Sequence, residues 1–292
     1  MRGFLKYASY RFAGALAGPL PPRIGFGLAR PVGWLLYVLS PGLRRALTQN
    51  FSHVLGADAD SEQVRTVVHQ ACANIIRGHY DLFRLSRLSI DEIQEMTHVE
   101  GRENLDRALA LGKGVILISA HFGNVDVLAQ LPGAYGIPFS APTEHIWPES
   151  LFQYTLRLRS SHGLRLFPAD GPLMELFRAL KRGEVVGLPC DRGIADNSRM
   201  VSFFGSPALL PDGPVRVALR TGATLVPAFG LRLPDNSFLA QVDPPLELPQ
   251  TGDREADIAT GVDMVVKVLE RHISQHPEQW LVAASVWSND VL

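Results

Sequence analysis

A strand, a histidine and a helix start follow one another in Gly114-Val-Ile-Leu-Ile-Ser-Ala-His121-Phe-Gly-Asn-Val-Asp126. The apolar run 114–120 has the length and composition of a buried strand. Gly123 and Asn124 then break the strand, and Asn is a residue that favours the start of a helix. We therefore expect His121 at the carboxyl end of a strand, which is where open α/β sheets place their ligands.

The histidine and the aspartate of this stretch form a candidate catalytic pair. Asp126 falls in the first turn of the predicted helix, close enough to accept a hydrogen bond from one imidazole nitrogen of His121. The other nitrogen is then available as a general base that activates a hydroxyl. A histidine satisfied at a strand end, beside a helix-capping aspartate, explains the same pattern, and spacing alone leaves both interpretations open.

Strands and helices alternate along the chain from His98 onward. This alternation predicts an α/β fold in which a central, mostly parallel or mixed sheet is flanked by helices. The expected strands are 114–120, 184–188, 224–229 and 238–242, with an edge strand over 280–284. The expected helices include a long one that begins at Asp60 or Ser61, one over 102–111 and a last one over 254–275.

The first 57 residues differ from the rest because they contain no Asp or Glu. We predict that residues 1–57 form a basic, apolar segment of three short helices that associates with a membrane, and that residues 58–292 form the α/β domain. Cations interleaved with aromatic and aliphatic side chains suit an anionic membrane surface. A single span over 24–43 is disfavoured by Arg30, Pro31 and Pro41, and simple packing on the main domain is the third interpretation. The cations are Arg2, Lys6, Arg11, Arg23, Arg30, Arg44 and Arg45.

Several functional classes can be set aside. The net charge is −1, which argues against a nucleic-acid-binding protein. The chain has no Gly-x-Ser-x-Gly elbow, phosphate-binding P-loop or dinucleotide fingerprint. His272 and His276 lie four residues apart without further ligands nearby, so we interpret them as a solvated helix face and expect no metal or redox cofactor. The two cysteines favour a reducing, cytosolic-side location.

The motif Ser-Ala-His121-Phe-Gly-Asn-Val-Asp126 resembles that of the lysophospholipid acyltransferase superfamily. Within it, the sequence is most similar to the bacterial lipid A biosynthesis (lauroyl) acyltransferases and the phosphatidylinositol mannoside acyltransferases. Further segments resemble that family in the same order: 156–161, 180–193, 203–208, 212–214, 220–229 and the closing His276-Pro-Glu-Gln-Trp280. Many lipid A enzymes have Glu at the position of Asp126, and Val125 stands where the mannoside branch has Trp.

The resemblance implies transfer of a fatty acyl chain from a thioester to a hydroxyl of a membrane glycolipid or phospholipid. His121 would act as the base and Asp126 would orient it. The donor, acyl-CoA or acyl carrier protein, is a co-substrate, so no cofactor is implied. The expected location is the cytoplasmic face of the inner membrane, held peripherally or monotopically.

A second cluster of candidate substrate-binding residues rests partly on the same resemblance. Glu144 and Arg159 correspond in spacing to polar residues of the acceptor pocket in the mannoside branch, although Arg159 also fits a solvated helix surface. Asp191 and Arg192 follow the predicted strand 184–188 and should reach the sheet edge beside His121. They could alternatively form a structural ion pair.

Two other functions remain compatible with the sequence: an acyl thioesterase, in which water replaces the acceptor, and a lipid-binding protein on the same fold. Oxyanion stabilisation would fall to backbone N–H groups at the helix start after His121. The acceptor lipid and the acyl chain length are not specified by the sequence.

Overall fold

The computed structural model describes residues 2–169, 174–193 and 198–287. The helices are α1 Arg2–Ala17, α2 Pro22–Gly27, α3 Ala29–Leu39, α4 Pro41–Leu55, α5 Ser61–Leu85, α6 Ile90–Glu95, α7 Arg102–Ala110, α8 Val125–Leu128, α9 Leu131–Ala134, α10 Glu149–Arg159, α11 Met174–Lys181, α12 Gly213–Thr221 and α13 Arg254–Gln275. The strands are β1 Thr97–Glu100, β2 Val115–Ser119, β3 Phe139–Thr143, β4 Arg165–Pro168, β5 Val185–Pro189, β6 Ser198–Phe203, β7 Ser206–Pro211, β8 Thr224–Arg232 and β9 Phe238–Val242.

Seven strands form one mixed sheet in the order β1-β9-β8-β2-β5-β3-β4. The strands β8, β2, β5, β3 and β4 are parallel, whereas β9 runs antiparallel to β8. Strand β2 lies at the centre, paired with β8 on one side and β5 on the other. The predicted fold class, a mixed sheet flanked by helices, is confirmed.

Helices cover both faces of the sheet, and β2 shows the division. Ile116 and Ile118 are buried in the cluster that includes residues of α11, α12 and α13. Val115 and Leu117 pack instead with Leu105 of α7. Because consecutive strand residues point to opposite faces, this alternation separates the two sides of the sheet.

The N-terminal helices pack against different parts of the molecule. Helix α3 packs closely on α5, where a Cβ atom at Gly33 would lie 2.7 Å from the Cα of Ala73. Helix α4 contributes the fully buried Leu47 and Phe51 to the main core. The side chain of Asn50 also donates to the carbonyl oxygens of residues 282 and 284. Residues 41–55 are therefore integrated with the α/β body, while a domain boundary at 57/58 stays a prediction.

Local structure differs from the sequence-based expectation in three places. Four helices, not three, occupy residues 2–55. Residues 280–284 form no strand, and Trp280 makes only an isolated bridge to Phe122. The β6–β7 hairpin was not expected; its two turn residues, Phe204 and Gly205, have φ values of 48° and 71°, as a tight hairpin turn requires.

Candidate active site

A sharp turn carries His121 from the end of β2 to the start of α8. Gly123 has a φ of +61°, and a Cβ atom there would lie 1.8 Å from the carbonyl oxygen of Gly230, so only glycine fits. The Asn124 side chain accepts from the N–H groups of Asp126 and Val127, at 3.1 and 3.2 Å, and thereby caps α8. The local geometry predicted from the sequence around His121 is present.

The carboxylate of Asp191, and not that of Asp126, holds the imidazole of His121. Asp191 Oδ1 lies 2.9 Å from His121 Nδ1, and Asp191 Oδ2 accepts from the backbone N–H of His121 at 2.9 Å. The indole Nε1 of Trp280 donates to the same Oδ2 at 2.7 Å. Asp191 is completely buried, whereas the His121 side chain is 33% exposed. A fixed carboxylate thus lies behind a partly accessible ring, the arrangement that orients a catalytic histidine.

Burial and charge shift the pKa values of His121 and Asp191 in opposite directions. The negative charge of Asp191 raises the pKa of His121 above 6.5, and burial of the ring opposes this only in part. Burial likewise disfavours the charged form of Asp191, but His121 and the hydrogen bonds from its backbone N–H and from Trp280 hold the pKa of Asp191 below 3.8. Asp191 is therefore ionised at neutral pH and stabilises a proton on the imidazole.

The prediction that Asp126 accepts a hydrogen bond from the imidazole of His121 is wrong. Asp126 forms an ion pair with Arg159, with Oδ1 2.8 Å from Nε, and makes no ion pair with His121 within the part of the chain that the structure describes. The reason lies in the sheet. Strands β2 and β5 are in register at Ser119 and Pro189, so the residues two positions on, His121 and Asp191, also come side by side.

The remaining predicted residues form one further pair. Glu144, just after β3, contacts Arg192, just after β5, through a carboxylate–guanidinium ion pair. Asp191 and Arg192 therefore do not form the structural ion pair considered above, because each has a partner on another element. Arg159, at the end of α10, is not a solvated surface charge, since its side chain is only 32% exposed and is engaged by Asp126.

A cavity of about 750 Å³ opens at His121. Asp126, Glu144, Arg159 and Arg192 also line it, whereas Asp191 lies behind its wall. On the α7 face of the sheet its walls are mainly apolar, formed by residues that include Leu105, Leu117, Leu131, Ile137, Phe139 and Leu164. An apolar recess ending at a histidine and ringed by charged groups can hold a long hydrocarbon chain beside a polar reacting centre.

Two groups that sequence reasoning missed support the turn from behind. Gln279 accepts the N–H of Gly123 through its carbonyl oxygen at 2.8 Å, and Leu281 donates its N–H to the carbonyl of His121 at 2.8 Å. These contacts, with the Trp280 indole, explain why the segment that resembles the family's closing signature lies at the site. The resemblance of residues 276–280 to that signature was the sequence feature that could have pointed to this segment as part of the site.

A buried ion pair fixes Asn124. Its Nδ2 donates to the fully buried carboxylate of Asp81 at 2.8 Å, and Arg232 pairs with the same carboxylate. This contact orients the Asn124 amide so that its oxygen faces the start of α8. Nothing in the sequence pattern links Asp81 to Asn124, because α5 and the turn are joined only by tertiary packing.

Helix α1 lies close to the Asp126–Arg159 pair. The Tyr10 hydroxyl lies 3.1 Å from His79 Nδ1. Burial lowers the pKa of His79, and the opposing charges of Asp126 and Arg159 act on it as well. His79 therefore stays neutral at pH 7, and α1 and α5 together close the site beside the Asp126–Arg159 pair.

One expectation about metal ligands also changes. His272 is not solvated: it is buried, stacks on Phe229 and lies 2.8 Å from Asp243 Oδ2 through Nε2. Within residues 2–169, 174–193 and 198–287, no group of three or more His, Cys, Asp or Glu side chains is placed to hold a metal ion.

The N-terminal helices carry a concentration of exposed apolar side chains. Those in α1–α3 are Phe4, Leu5, Phe12, Leu16, Ile24, Val32, Trp34, Leu35, Val38 and Leu39. Exposed apolar side chains concentrated on neighbouring helices are typical of an interaction surface. We call these residues the apolar face. No described helix is both long enough and apolar enough to cross a membrane.

The sequence model of the bacterial lipid A biosynthesis acyltransferases matches residues 4–288. The chain belongs to this family. It is 29% identical over 223 residues to a phosphatidylinositol mannoside acyltransferase of Mycobacterium tuberculosis, covering 73% of this chain and 68% of the relative. The corresponding enzyme of Mycolicibacterium smegmatis is 25% identical over 271 residues, covering 87% and 83%. A lipid A biosynthesis lauroyltransferase of Escherichia coli is 30% identical over 194 residues, covering 65% and 61%.

A solved structure, the 1-acyl-sn-glycerophosphate (LPA) acyltransferase PlsC from Thermotoga maritima, covers 86% of this chain and 98% of its own with 15% identity and a TM-score of 0.38. Membership in the family confirms the resemblance found in the sequence and identifies the protein as an acyltransferase of lipid biosynthesis.

Proposed function

We propose that the protein transfers a fatty acyl group from an acyl thioester to a hydroxyl of a membrane glycolipid or phospholipid, with His121 as the general base. The observation that carries the proposal is the bond between His121 Nδ1 and the buried Asp191 carboxylate. It fixes the tautomer with the proton on Nδ1 and leaves Nε2 as the acceptor that a base needs.

The proposed reaction uses this geometry. His121 Nε2 takes the proton of the acceptor hydroxyl while its oxygen attacks the thioester carbonyl. Asp191 stabilises the imidazolium that forms. The C–S bond then breaks, and the thiolate leaves with a proton from the imidazolium. The acyl chain lies in the apolar recess under α7, and no acyl-enzyme forms.

Backbone groups in the turn limit where the oxyanion can be bound. The N–H of Gly123 donates to Gln279, and those of Asp126 and Val127 donate to Asn124. The backbone N–H groups of Asn124 and Val125 donate to no protein group in the described ranges, so we assign the oxyanion to them.

Asp126 and Arg159 form the acceptor end of the site in this proposal. Arg159 also reaches Thr143 Oγ1 at 3.5 Å, so its guanidinium spans two elements. Asp126 acts by orienting Arg159, and Glu144 orients Arg192 in the same way.

Acceptor dependence separates the proposed function from its alternatives. Thiol release from a long-chain acyl-CoA or acyl carrier protein should require a glycolipid or phospholipid acceptor and should yield the acylated lipid. Thiol release that proceeds at the same rate without acceptor would indicate a thioesterase. No release with either donor, in a protein that binds lipid, would indicate a lipid-binding protein.

Arg159→Lys is expected to raise the KM for the acceptor roughly tenfold, because lysine keeps the charge but loses the planar fork that contacts Asp126 and Thr143 together. Steady-state kinetics with donor and acceptor varied in turn measure this. Arg157→Lys, on the same helix, is the matched control. Unchanged acceptor kinetics in Arg159→Ala would remove Arg159 from the acceptor site.

The proposed membrane partner requires the apolar face. Replacing Phe4, Phe12 and Trp34 by serine should weaken binding to anionic vesicles at least tenfold, since burying one such side chain contributes roughly 1.5–3 kcal/mol. High salt should weaken binding of the unaltered protein without abolishing it, because only the attraction of the cations is screened. Met200→Ser, at an exposed apolar position on β6, is the control. Equal sedimentation of the triple variant with vesicles would place the docking surface elsewhere.

A further inference from the structure

The cavity at His121 is not confined to one face of the sheet. Besides the apolar recess on the α7 face, it is lined by Leu176 and Phe177 of α11 and by Val217 and Arg220 of α12. These helices cover the opposite face, where Ile116 and Ile118 are buried. The cavity therefore passes over the carboxyl edge of the sheet, beside His121, and continues between α11 and α12. We call this second part the α11–α12 lobe.

The charge of the lining is strongly positive. Six arginines line the cavity as a whole, against two carboxylates, Asp126 and Glu144. The arginines are Arg102, Arg159, Arg192, Arg216, Arg220 and Arg254. Three of them, Arg216, Arg220 and Arg254, stand on α12 and α13, whose residues contribute no carboxylate to the lining. Such a lining attracts an anionic ligand.

Two of these three charges have no ion-pair partner among the described residues. Arg216 is paired with Asp212 at 2.8 Å and with Glu255 at 3.0 Å. Arg220 and Arg254 form no ion pair within the described part of the chain, although Arg220 Cζ lies 5.2 Å from the centre of the Phe177 ring. This cation–π contact places the guanidinium of Arg220 at the wall of the lobe, where no carboxylate of the described residues pairs with it.

We propose that Arg220 and Arg254 bind the phosphate at the end of the pantetheine arm of the thioester donor. The proposal rests on the proposed function and names the donor chemistry at the same site. A thioester beside His121, with its acyl chain in the apolar recess, directs the rest of the donor over the sheet edge. From Gly213 to Arg220, α12 advances about 10 Å, so the lobe suits a narrow polar chain that ends in an anion.

The acceptor is assigned to the side of the site that lies away from the α11–α12 lobe. The apolar face lies on α1–α3, which pack on α5, and α1 also contacts α10 beside Arg159. A membrane lipid therefore approaches the Asp126–Arg159 pair, whereas the α11–α12 lobe lies across the sheet. Coenzyme A and acyl carrier protein both carry 4′-phosphopantetheine, so the same subsite serves either donor.

The test compares acyl-4′-phosphopantetheine with acyl-pantetheine, which differ only in the phosphate, and adds acyl-CoA as the nucleotide-bearing donor. In Arg220→Ala, and more strongly in Arg220→Ala with Arg254→Ala, the KM for acyl-CoA and for acyl-4′-phosphopantetheine should rise roughly tenfold or more, since charged hydrogen bonds to the phosphate are lost. Activity with acyl-pantetheine, which has no phosphate, and the acceptor KM should stay unchanged. Arg178→Ala, at an exposed α11 residue paired with Glu175, is the matched control.

Three results would overturn the assignment: an equal loss with acyl-pantetheine, a rise in the acceptor KM alone, or a loss confined to acyl-CoA, which would place the nucleotide phosphates there. Calorimetric titration with S-alkyl thioethers of coenzyme A and of 4′-phosphopantetheine, and with S-alkyl pantetheine, gives the same comparison without turnover. Failure of the proposed function would abolish product formation in the unaltered protein, yet leave this phosphate-dependent difference in binding measurable. Equal affinity of the unaltered and Arg220→Ala proteins for the coenzyme A thioether would overturn the proposal on its own.

Discussion

His121→Ala is expected to lower kcat about a hundredfold or more, because a general base contributes roughly 10²–10⁴ to the rate. The ring lies at the surface of the cavity and its side chain is 33% exposed, so its removal should leave the fold intact. The measurement is acceptor-dependent thiol release, with circular dichroism and thermal unfolding as checks on folding.

A matched histidine separates this effect from a general one. His98→Ala removes an exposed imidazole that faces Glu100, away from the cavity lining, and should leave kcat unchanged. Near-normal turnover in a folded His121→Ala protein would contradict the proposed role of His121.

Asp191→Asn should reduce kcat about as severely, again roughly a hundredfold or more. An amide cannot stabilise the imidazolium electrostatically, and it removes the preference for a proton on Nδ1. The shape is nearly conserved, and the asparagine oxygen can still accept from the Trp280 indole. Thermal unfolding of the variant, compared with that of the unaltered protein, should therefore show that a loss of activity is not a loss of structure.

Asp126→Asn is the informative comparison because both variants remove one carboxylate from the same site. Asp126 contacts Arg159, so its loss should act through the acceptor and raise the acceptor KM. If Asp191→Asn retained normal kcat while Asp126→Asn abolished turnover at saturating acceptor, the assignment of the two carboxylates would be reversed.

The sequence predicted the local parts of the site correctly. The apolar run, the break at Gly123 and the cap at Asn124 are determined by neighbouring residues, so the position of His121 at a strand end was accessible without a structure. The same holds for α13, predicted over 254–275 and found as Arg254–Gln275.

The partner of His121 was not accessible in the same way. The motif spacing pointed to Asp126, but the partner is set by the order of the strands in the sheet. Strand β5 lies next to β2, although 65 residues of chain lie between Ser119 and the start of β5 at Val185. Asp191 was placed at the correct edge of the sheet, yet its contact with His121 depends on the register of two strands. The hydrogen bond from Asn124 to Asp81 likewise depends on how α5 packs.

The pH dependence of kcat/KM in the unaltered protein, Asp191→Asn and Asp126→Asn tests the central claim most directly. The base must be neutral to act, so activity should fall as the pH drops through the pKa of His121, which the charge of Asp191 holds above 6.5. Asp191→Asn removes that charge and should move this acid limb to lower pH, while Asp126→Asn should leave its midpoint in place. A midpoint that moves in Asp126→Asn and stays fixed in Asp191→Asn would contradict the account.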